Sequence, residues 1–408
     1  MRLDLLERLR CPYCGGPLNL CESTRTVRGL QSLHTGVLGC ECSAYPVLEG
    51  IPCLHASQTA RQALRCLEHG DAPGAWQALG GGAGEETRTP AAEPATFREG
   101  LDHWCPGPEK EYLLHRFSDP TFVAMESLLR PLAARHPVEN GWILDVCGGA
   151  GHATRLLSNL HPSARVVLAD RDPGRLRLAG RFMAPNADLV CCDAAQPLPF
   201  RHGGFDWVQC VDGLNYVWPR RLLVTEMLRS ASPSGVVLAL HMHNALCVNP
   251  SAGMPLSPAT FRSLFEPWPV RLYAESGWLA AAHRSEAPDL AGDATDEALQ
   301  REPALCAVAA LERKWFDALP PPAPPALAGA WAINPLYQVR TEGNTLRLER
   351  RFPSAYYEEE FGALKTYLPE VVSLTAEDVK ALKQGERSGR LAKWIRQRVL
   401  LDLPEGYV

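Results

Sequence analysis

The chain has 408 residues, 46% of them hydrophobic and 21% charged, with a formal net charge of −5. That length exceeds what one growing core supports, so two or three units are expected, and the composition is that of a folded chain. The acidic balance excludes a whole-molecule positive field for a phosphate backbone or an anionic membrane.

The first residues, MRLDLLERLRCPYC, lack the apolar core and cleavage site of a secretory signal, and no apolar run reaches the roughly 18 residues of a membrane span. The 14 cysteines fall into a spaced N-terminal group and single residues inside apolar runs, such as Cys191, Cys192 and Cys210. That pattern suits a reducing, cytoplasmic setting with one metal site better than a disulfide scaffold.

Residues 1–56 are dense in Cys, Gly and turn formers and make the first expected domain. CPYCGG sets Cys11 and Cys14 at C-x2-C spacing in a Pro/Gly turn, and Cys40 and Cys42 follow after a gap long enough for a hairpin. Four thiolates so spaced can close a tetrahedral, structural Zn2+ site. By residue type alone, Cys21, Cys53, His34 and His55 are substitutes. LLERLRCPYCGGPL and GVLGCECSAYPVLEGIPCL together resemble the small zinc-ribbon family that activates tRNA and protein methyltransferases and is also found fused in front of bacterial methyltransferases. The stretch from Tyr45 to Pro52 carries most of that resemblance. In the family the second cysteine pair commonly stands slightly further from the tyrosine, so the resemblance assigns Cys11 and Cys14 more firmly than Cys40 and Cys42.

Residues 57–109 read as a helical segment, ARQALRCLEHG, followed by a mobile linker, GGGAGEETRTPAAEPA, which has too little apolar surface to fold. From 110 to 285 the pattern is α/β. YLLHRFSDPTFVAMESLLRPLAARH reads as one helix, and the part from His115 to Phe122 either closes over a ligand or is plain packing, the commoner role of such a helix. WILDV, RVVLAD, ADLVCCD, FDWVQCV and GVVLALHMH read as buried strands alternating with the helices ATRLLSNL, PGRLRLAGRFM and LLVTEMLRSA. Such alternation predicts a parallel sheet covered on both faces.

Residues 286–408 are expected to form a C-terminal α+β extension, either a further lobe or a cover over the site, between which composition does not decide. Within it DEALQREPALCAVAALERKWFDAL reads as helical, LPPPAPPALAG as a stiff connector and TLRLERRF as a strand; SPATFRSLF, ahead of it, reads as a helix. Arg387, Arg390, Lys393, Arg396 and Arg398 form a locally basic run, read as a solvated helix face. Trp104, Trp207 and Trp218 are expected in the core or at a rim.

WILDVCGGAGHATRLL is a strand, a glycine-rich turn and a helix start, which lets backbone approach a ligand and presents unpaired N–H groups to it. Two acids end the next strands: Asp170, able to accept from both hydroxyls of a ribose, and Asp193, beside Ala194, placed for an adenine amino group. The turn lacks the third glycine of the dinucleotide fingerprint, which argues against a nicotinamide enzyme. The combination resembles class I methyltransferases, with a Rossmann-like sheet, across about residues 140–245. The resemblance implies S-adenosylmethionine held by Asp145, Cys147, Gly149 and Gly151 at the methionine portion, Asp170 at the ribose, and Asp193 with Ala194 at the adenine. Cys147 departs from the Gly or Ala common there.

A sulfonium methyl is already activated, so alignment and water exclusion do most of the work, and a base is needed only if the acceptor must lose a proton. Strand ends offer Asp212, Asn215 and Tyr216, then His241, His243 and Asn244. His241 and His243 alternate on one strand face, and either is a candidate base, with Asp212 beside them. The expected activity is methyl transfer to a small-molecule acceptor such as a secondary metabolite. An RNA base methyltransferase, whose activity would fall steeply with salt, and a non-catalytic methyltransferase-like binding protein are the competing readings.

Overall fold

The computed structural model describes residues 1–21, 26–80, 93–251, 253–322, 329–386 and 389–408. Most of the expected linker, much of the Pro-rich connector and Arg387 lie outside the described residues.

The N-terminal unit is an antiparallel sheet of β1 (Asn19–Cys21), β2 (Val27–Arg28), β3 (Leu33–Gly39), β4 (Ala44–Leu48) and β5 (Ile51–Pro52). Glu49 and Gly50 both take positive φ, 48° and 79°, which gives β4 and β5 the two-residue hairpin whose twist matches its strands. Two helices follow, α1 (Gln58–Glu68) and α2 (Ala72–Ala78), with Ser57 and Asp71 as side-chain caps.

Next come α3 (Phe97–Trp104), α4 (Lys110–His115) and α5 (Pro120–Arg135). The single helix expected from Tyr112 onward is in fact two. The residue before a proline is pushed out of the helical region, and Asp119 is extended (φ −73°, ψ 156°); its Oδ1 then accepts the Phe122 N–H at 2.7 Å and caps the new helix. The break sets Tyr112, Arg116 and Asp119 at a corner.

The central sheet is built from β6 (Trp142–Val146), β7 (Arg165–Asp170), β8 (Asp188–Cys191), β9 (Phe205–Val211), β10 (Ala231–His243), β11 (Val270–Ala274) and β12 (Ala304–Ala309). Between them lie α6 (His152–Leu160), α7 (Pro173–Leu178), α8 (Arg220–Ser230), α9 (Pro258–Leu264) and α10 (Glu275–Arg284). The strand order is β11-β12-β10-β9-β6-β7-β8. Neighbours from β10 to β8 are parallel, whereas β12 runs antiparallel to both β10 and β11. The chain winds one way from β6 through β7 to β8 and the other way through β9 and β10, so a crevice opens at the carboxyl ends of β6 and its neighbours.

One correction concerns ALCAVA, expected as helix: it is β12, inside the sheet and beyond residue 285, where the α/β domain was expected to end. Its small side chains obscured a period of two. Leu305, Ala307 and Ala309 pack in one core cluster, and Cys306, Val308 and Ala310 in another. The same alternation runs through the sheet. Leu144, Val146, Val208, Val237 and Ala239 face the first cluster, while Ile143, Trp207, Val236, Leu238 and Leu240 face the second, so both faces are dry.

The flanking units supply those covers. Leu5, Leu9, Leu18, Leu33, Leu38, Tyr45 and Leu54 of the N-terminal unit belong to the first cluster. Its backbone also joins the sheet: Leu54 N–H donates to Cys191 O at 2.7 Å on the edge strand β8, and Arg10 N–H donates to Pro199 O at 2.9 Å. Arg2 grips Asp188 through Nε at 3.1 Å and Nη2 at 2.7 Å. On the opposite face, Leu401, Leu403 and Tyr407 complete the second cluster, and Tyr407 stacks on Phe97 at 4.8 Å.

The C-terminal region is α+β as expected. β13 (Ala330–Ile333) pairs with β17 (Leu400–Leu403); β14 (Tyr337–Glu342), β15 (Thr345–Arg350) and β16 (Val371–Leu374) form a second small sheet with α11 (Ala355–Phe361) and α12 (Ala376–Lys383) packed nearby. Of the basic run, Arg390 pairs with Glu377 at 2.7 Å and Arg398 pairs with Glu126. Trp207 and Trp104 are buried, and Trp218 is exposed. No helix among the described residues is long and apolar enough to cross a membrane.

Burial holds His152 down to about 3, and His115 and His161 to about 4. The unfolded chain therefore takes up protons at these histidines from about pH 6.5 downward that the folded chain refuses, so their contribution to stability is full above that pH and falls toward 4. Buried carboxyls raised above their usual range, Asp145 to about 6 and Asp170 in the same direction, act in the opposite sense. The ring proton resonances of His115, His152 and His161 should therefore keep their neutral positions down to about pH 5, whereas titration near 6.5 would contradict their burial.

Candidate functional site

The turn after β6 is held open by backbone that side chains rarely tolerate. Cys147, Gly149 and Gly151 have φ of 58°, 56° and 87°. A Cβ on Gly151 would meet Ala179 Cβ at 2.9 Å, so the third position must be glycine for packing; a Cβ on Gly149 would meet nothing within 4 Å, so that residue borders open space. Gly149 N–H donates to Asp170 Oδ2 at 2.9 Å, which joins the turn to the acid at the end of β7. The other oxygen of Asp170 accepts from Asp172 N–H at 2.9 Å. Burial pushes the Asp170 carboxyl up, against these two donors.

Asp145 lies beneath this turn and is fully buried. Its Oδ2 accepts from Thr154 Oγ1 at 2.6 Å and its Oδ1 from Gln209 Nε2 at 3.1 Å, so both oxygens face the protein. Burial raises it to about 6 even so. Asp145 thus braces β6, α6 and β9. Asp193 sits past β8, where its Oδ1 accepts from Ala195 N–H at 2.9 Å and shapes the loop that contains the buried Ala194. Asp170 and Asp193 flank Cys192, whose thiol is pushed far up by burial first and by the nearby Cys191 and both carboxylates next.

A second polar cluster stands at the ends of β9 and β10. Asp212 and His241 have positive φ, 57° and 56°, so with Cys147 three adjacent strands each present one non-glycine residue in the left-handed region. Such strain concentrates at functional sites. The register of β10 against β12 slips between Ala239 and Met242, a bulge that interrupts the alternation expected of HMH. The two rings still meet edge to face, 5.3 Å apart. Asn215 fixes this geometry by donating to His241 O at 2.9 Å and accepting His243 N–H at 2.8 Å.

His241 Nδ1 lies 3.0 Å from both oxygens of Glu275, and Nε2 lies 3.9 Å from Asp212 Oδ1. Burial lowers its affinity for protons, but Glu275 and Asp212 outweigh that and raise it to about 9. His243 is the opposite case, lowered to about 4 by burial and then by the charge of His241. Its Nε2 lies 3.3 Å from Ser251 Oγ, while Nδ1 is buried without a hydrogen-bond partner. Asp212 Oδ2 accepts from Tyr112 Oη at 2.9 Å and lies 3.6 Å from Arg116 Nη1. Arg116 in turn pairs with Asp119 at 2.8 Å. The two clusters adjoin: a Cβ on Gly213, next to Asp212, would come within 2.6 Å of Cys147 Cβ.

Sequence reasoning missed Tyr112 and Glu275; it marked the stretch from His115 to Phe122 but gave Arg116 and Asp119 within it no role, and the Asp119–Pro120 step carried the signal of a helix start. Asn244, by contrast, is fully buried and structural: its amide donates to Leu299 O and Glu302 O at 2.8 and 3.0 Å, and its Oδ1 accepts from Leu246 N–H. Tyr216 is half-exposed at the rim and meets the His243 ring edge to face.

The four N-terminal sulfurs lie within 4.8 Å of one another. Cys11–Cys42 and Cys40–Cys42 are 3.5 Å apart and Cys14–Cys40 is 3.8 Å, close to the ~3.8 Å that four 2.3 Å zinc–sulfur bonds impose. N–H groups of Tyr13 and Cys14 point at Cys11 Sγ, at 3.4 and 3.5 Å. Other residues of ligand type lie elsewhere: Cys53 pairs with β8 at Cys191, His55 Nε2 is 3.8 Å from Cys191 Sγ, His34 contacts Thr35, and Cys21 is exposed.

Residues 143–235 match the family model described as a methyltransferase domain. A ubiquinone/menaquinone biosynthesis C-methyltransferase of Pseudomonas savastanoi is 38% identical over 104 residues, 24% of this chain and 40% of that protein. The corresponding protein of Saccharophagus degradans is 36% identical over 104 residues, 24% of this chain and 41% of its own. The chain thus spans about 40% of the length of these curated relatives. Among solved structures, the complex of the Haloferax volcanii Trm112 methyltransferase activator with a methyltransferase covers 53% of this chain and 97% of its own at 17% identity and a TM-score of 0.39. An Aquifex aeolicus SAM-dependent methyltransferase covers 49% and 97% at 14% identity and 0.34. By sequence, then, the methyltransferase-domain match spans β6 through the start of β10.

Replacing Thr154 with Val removes the donor to Asp145 Oδ2 and leaves a buried carboxylate half-satisfied. The expected cost is about 1–3 kcal/mol in chemical denaturation. Unchanged stability would show that Asp145 is not the brace described.

Proposed function

We propose that this protein is an S-adenosylmethionine-dependent methyltransferase acting on a small-molecule acceptor, with a structural zinc ion in its N-terminal ribbon. The observation that carries the reading is the joined pair of Gly149 and Asp170: an open-sided glycine turn tied at 2.9 Å to an acid at the end of the next parallel strand, inside the segment that matches the methyltransferase domain. Bound there, the cofactor supplies a methyl group already activated on a sulfonium.

The chain's own residues divide the remaining work. Asp170 accepts from the ribose hydroxyls and Asp193 from the adenine amino group, while Cys147, Gly149 and Gly151 give backbone access to the methionine portion. Asp145 holds the turn from below through Thr154 and Gln209. Asp212, His241 and His243 form the acceptor end and orient the nucleophile, and Glu360, on α11, adds its charge there. The extension after residue 330 excludes water from that end, which is where a transfer of this kind gains most. Four thiolates at zinc-compatible spacing hold the ribbon in shape, and the ribbon covers the edge strand β8.

Support for a small acceptor comes from the relatives named for ubiquinone/menaquinone biosynthesis. Within the basic C-terminal run, Arg390 and Arg398 are paired with acids of the same chain.

Calorimetry should detect S-adenosylmethionine binding to the full chain, and Asp170→Ala should weaken it at least about tenfold, the scale of a lost charge-assisted pair of hydrogen bonds. Labelled methyl should appear in a small-molecule fraction of a cell extract and not in RNA. Failure to bind the cofactor would leave the binding-protein reading in its place. Separately, a strong chelator should strip the zinc of the ribbon and lower the melting temperature, and Cys14→Ser should reproduce the loss of that ion; a protein purified without zinc at full stability would contradict the four-thiolate site.

A further inference from the structure

The polar cluster at the acceptor end has the chemistry of a second metal centre. One atom each from Asp212, His241 and His243 lies within 4.8 Å of the others. The Asp212 Oδ1 to His241 Nε2 distance, 3.9 Å, is too long for a hydrogen bond but within the span of two metal–ligand bonds of about 2.1 Å. We propose that Asp212, His241 and His243 bind a divalent first-row transition-metal ion, with coordination positions left open for an oxygen atom of the methyl acceptor.

Four features support this beyond proximity. His241 turns Nδ1 to Glu275, at 3.0 Å from both carboxylate oxygens, the outer support that orients a ligating imidazole and raises its basicity. Asp212 divides its two oxygens: Oδ2 is held by Tyr112 and Arg116, and Oδ1 faces His241. His243 is 1% exposed, and its Nδ1 has no hydrogen-bond partner, an unmet requirement for a buried polar atom. Finally, Asn215 clamps the backbone of both histidines, and three of the surrounding strand-end residues are held in strained backbone.

The local charge favours a cation as well. Asp119, Asp212, Glu275 and Glu360 surround the cluster; against them stand Arg116, itself paired with Asp119, and the proton on His241, which a bound ion would displace. Two imidazoles and a carboxylate suit manganese, iron, cobalt or zinc better than magnesium or calcium, which prefer all-oxygen sets. Three protein ligands, unlike the four sulfurs of the ribbon, leave the ion open, as catalytic metal sites do. A coordinated hydroxyl or carbonyl oxygen would be fixed at the end of β9, beside the Cys147 turn. The acceptor half of this inference rests on the methyltransferase reading; the ion-binding half does not.

The test uses full-length protein whose ribbon is loaded with zinc, titrated with Mn2+ while free Mn2+ is followed by electron paramagnetic resonance. A single saturable site is expected, and Co2+ in the same site should give weak visible bands without thiolate charge-transfer absorption. Asp212→Asn and His243→Gln should each weaken binding at least about tenfold, and Glu275→Gln by about 10–100-fold. Thermal melts establish that each variant is folded, and the near-isosteric Asp212→Asn serves if His243→Gln is not. Absence of saturable Mn2+ and Co2+ binding, or binding unaltered in folded Asp212→Asn, overturns the proposal. Cofactor affinity is read separately by calorimetry: binding of S-adenosylmethionine without metal removes this centre alone, and metal without S-adenosylmethionine leaves the centre standing and removes the methyltransferase reading.

Discussion

A parallel sheet covered by apolar side chains on both faces admits a polar group between its ends only when protein partners satisfy it, as Gln209 and Thr154 do for Asp145. In this chain alternate residues of β6, β9, β10 and β12 enter two separate core clusters, so charge in the middle of either face would be buried without water or a partner. All the chemistry is forced to the carboxyl edge, where the winding direction reverses at β6 and the loops part. There the backbone itself is bent against preference. Cys147, Asp212 and His241 take left-handed φ on three adjacent strands, an arrangement costing on the order of 1–3 kcal/mol per residue, offset by the surrounding hydrogen bonds.

The two flanking units make the dry faces possible. The ribbon contributes leucines to one cluster and hydrogen-bonds to the exposed edge at β8, which would otherwise be an open template for pairing. The C-terminal extension returns through β17 to put Leu401, Leu403 and Tyr407 into the other cluster, and it brings Glu360 toward the acceptor end. Neither unit is an appendage in the energetic sense. Both belong to the hydrophobic clusters that keep the sheet flanked, so the integrity of the ribbon and the geometry of the strand ends are linked through packing.

Much of this was legible in the sequence. WILDV followed by CGGAG announced a strand, a turn and a helix, because glycine spacing and apolar runs are local signals. The C-x2-C spacing marked Cys11 and Cys14, whereas the looser C-x-C pair left Cys21, Cys53, His34 and His55 as substitutes until the fold brought the sulfurs of Cys40 and Cys42 beside the first two. The helix break at Asp119 was obscured because the apolar periodicity continues through it, although the proline marked the place. β12 was lost because alanine and cysteine suit either period, and only the partner strand decides. The role of Asp145 depended on Thr154 and Gln209, 9 and 64 residues away, and that of Asp212 on Tyr112, 100 residues away. Glu275 meets His241 only through the fold. Contacts of that separation have no sequence pattern to read in one chain.

The most direct test of the central claim is a crystal structure with the demethylated cofactor product, S-adenosylhomocysteine, bound. The account predicts the nucleoside across the carboxyl ends of β6 and β7, ribose hydroxyls on Asp170, adenine toward Asp193, and the sulfur facing Asp212 and the two histidines. A ligand bound away from that edge, or an Asp170 turned from the ribose, would contradict it.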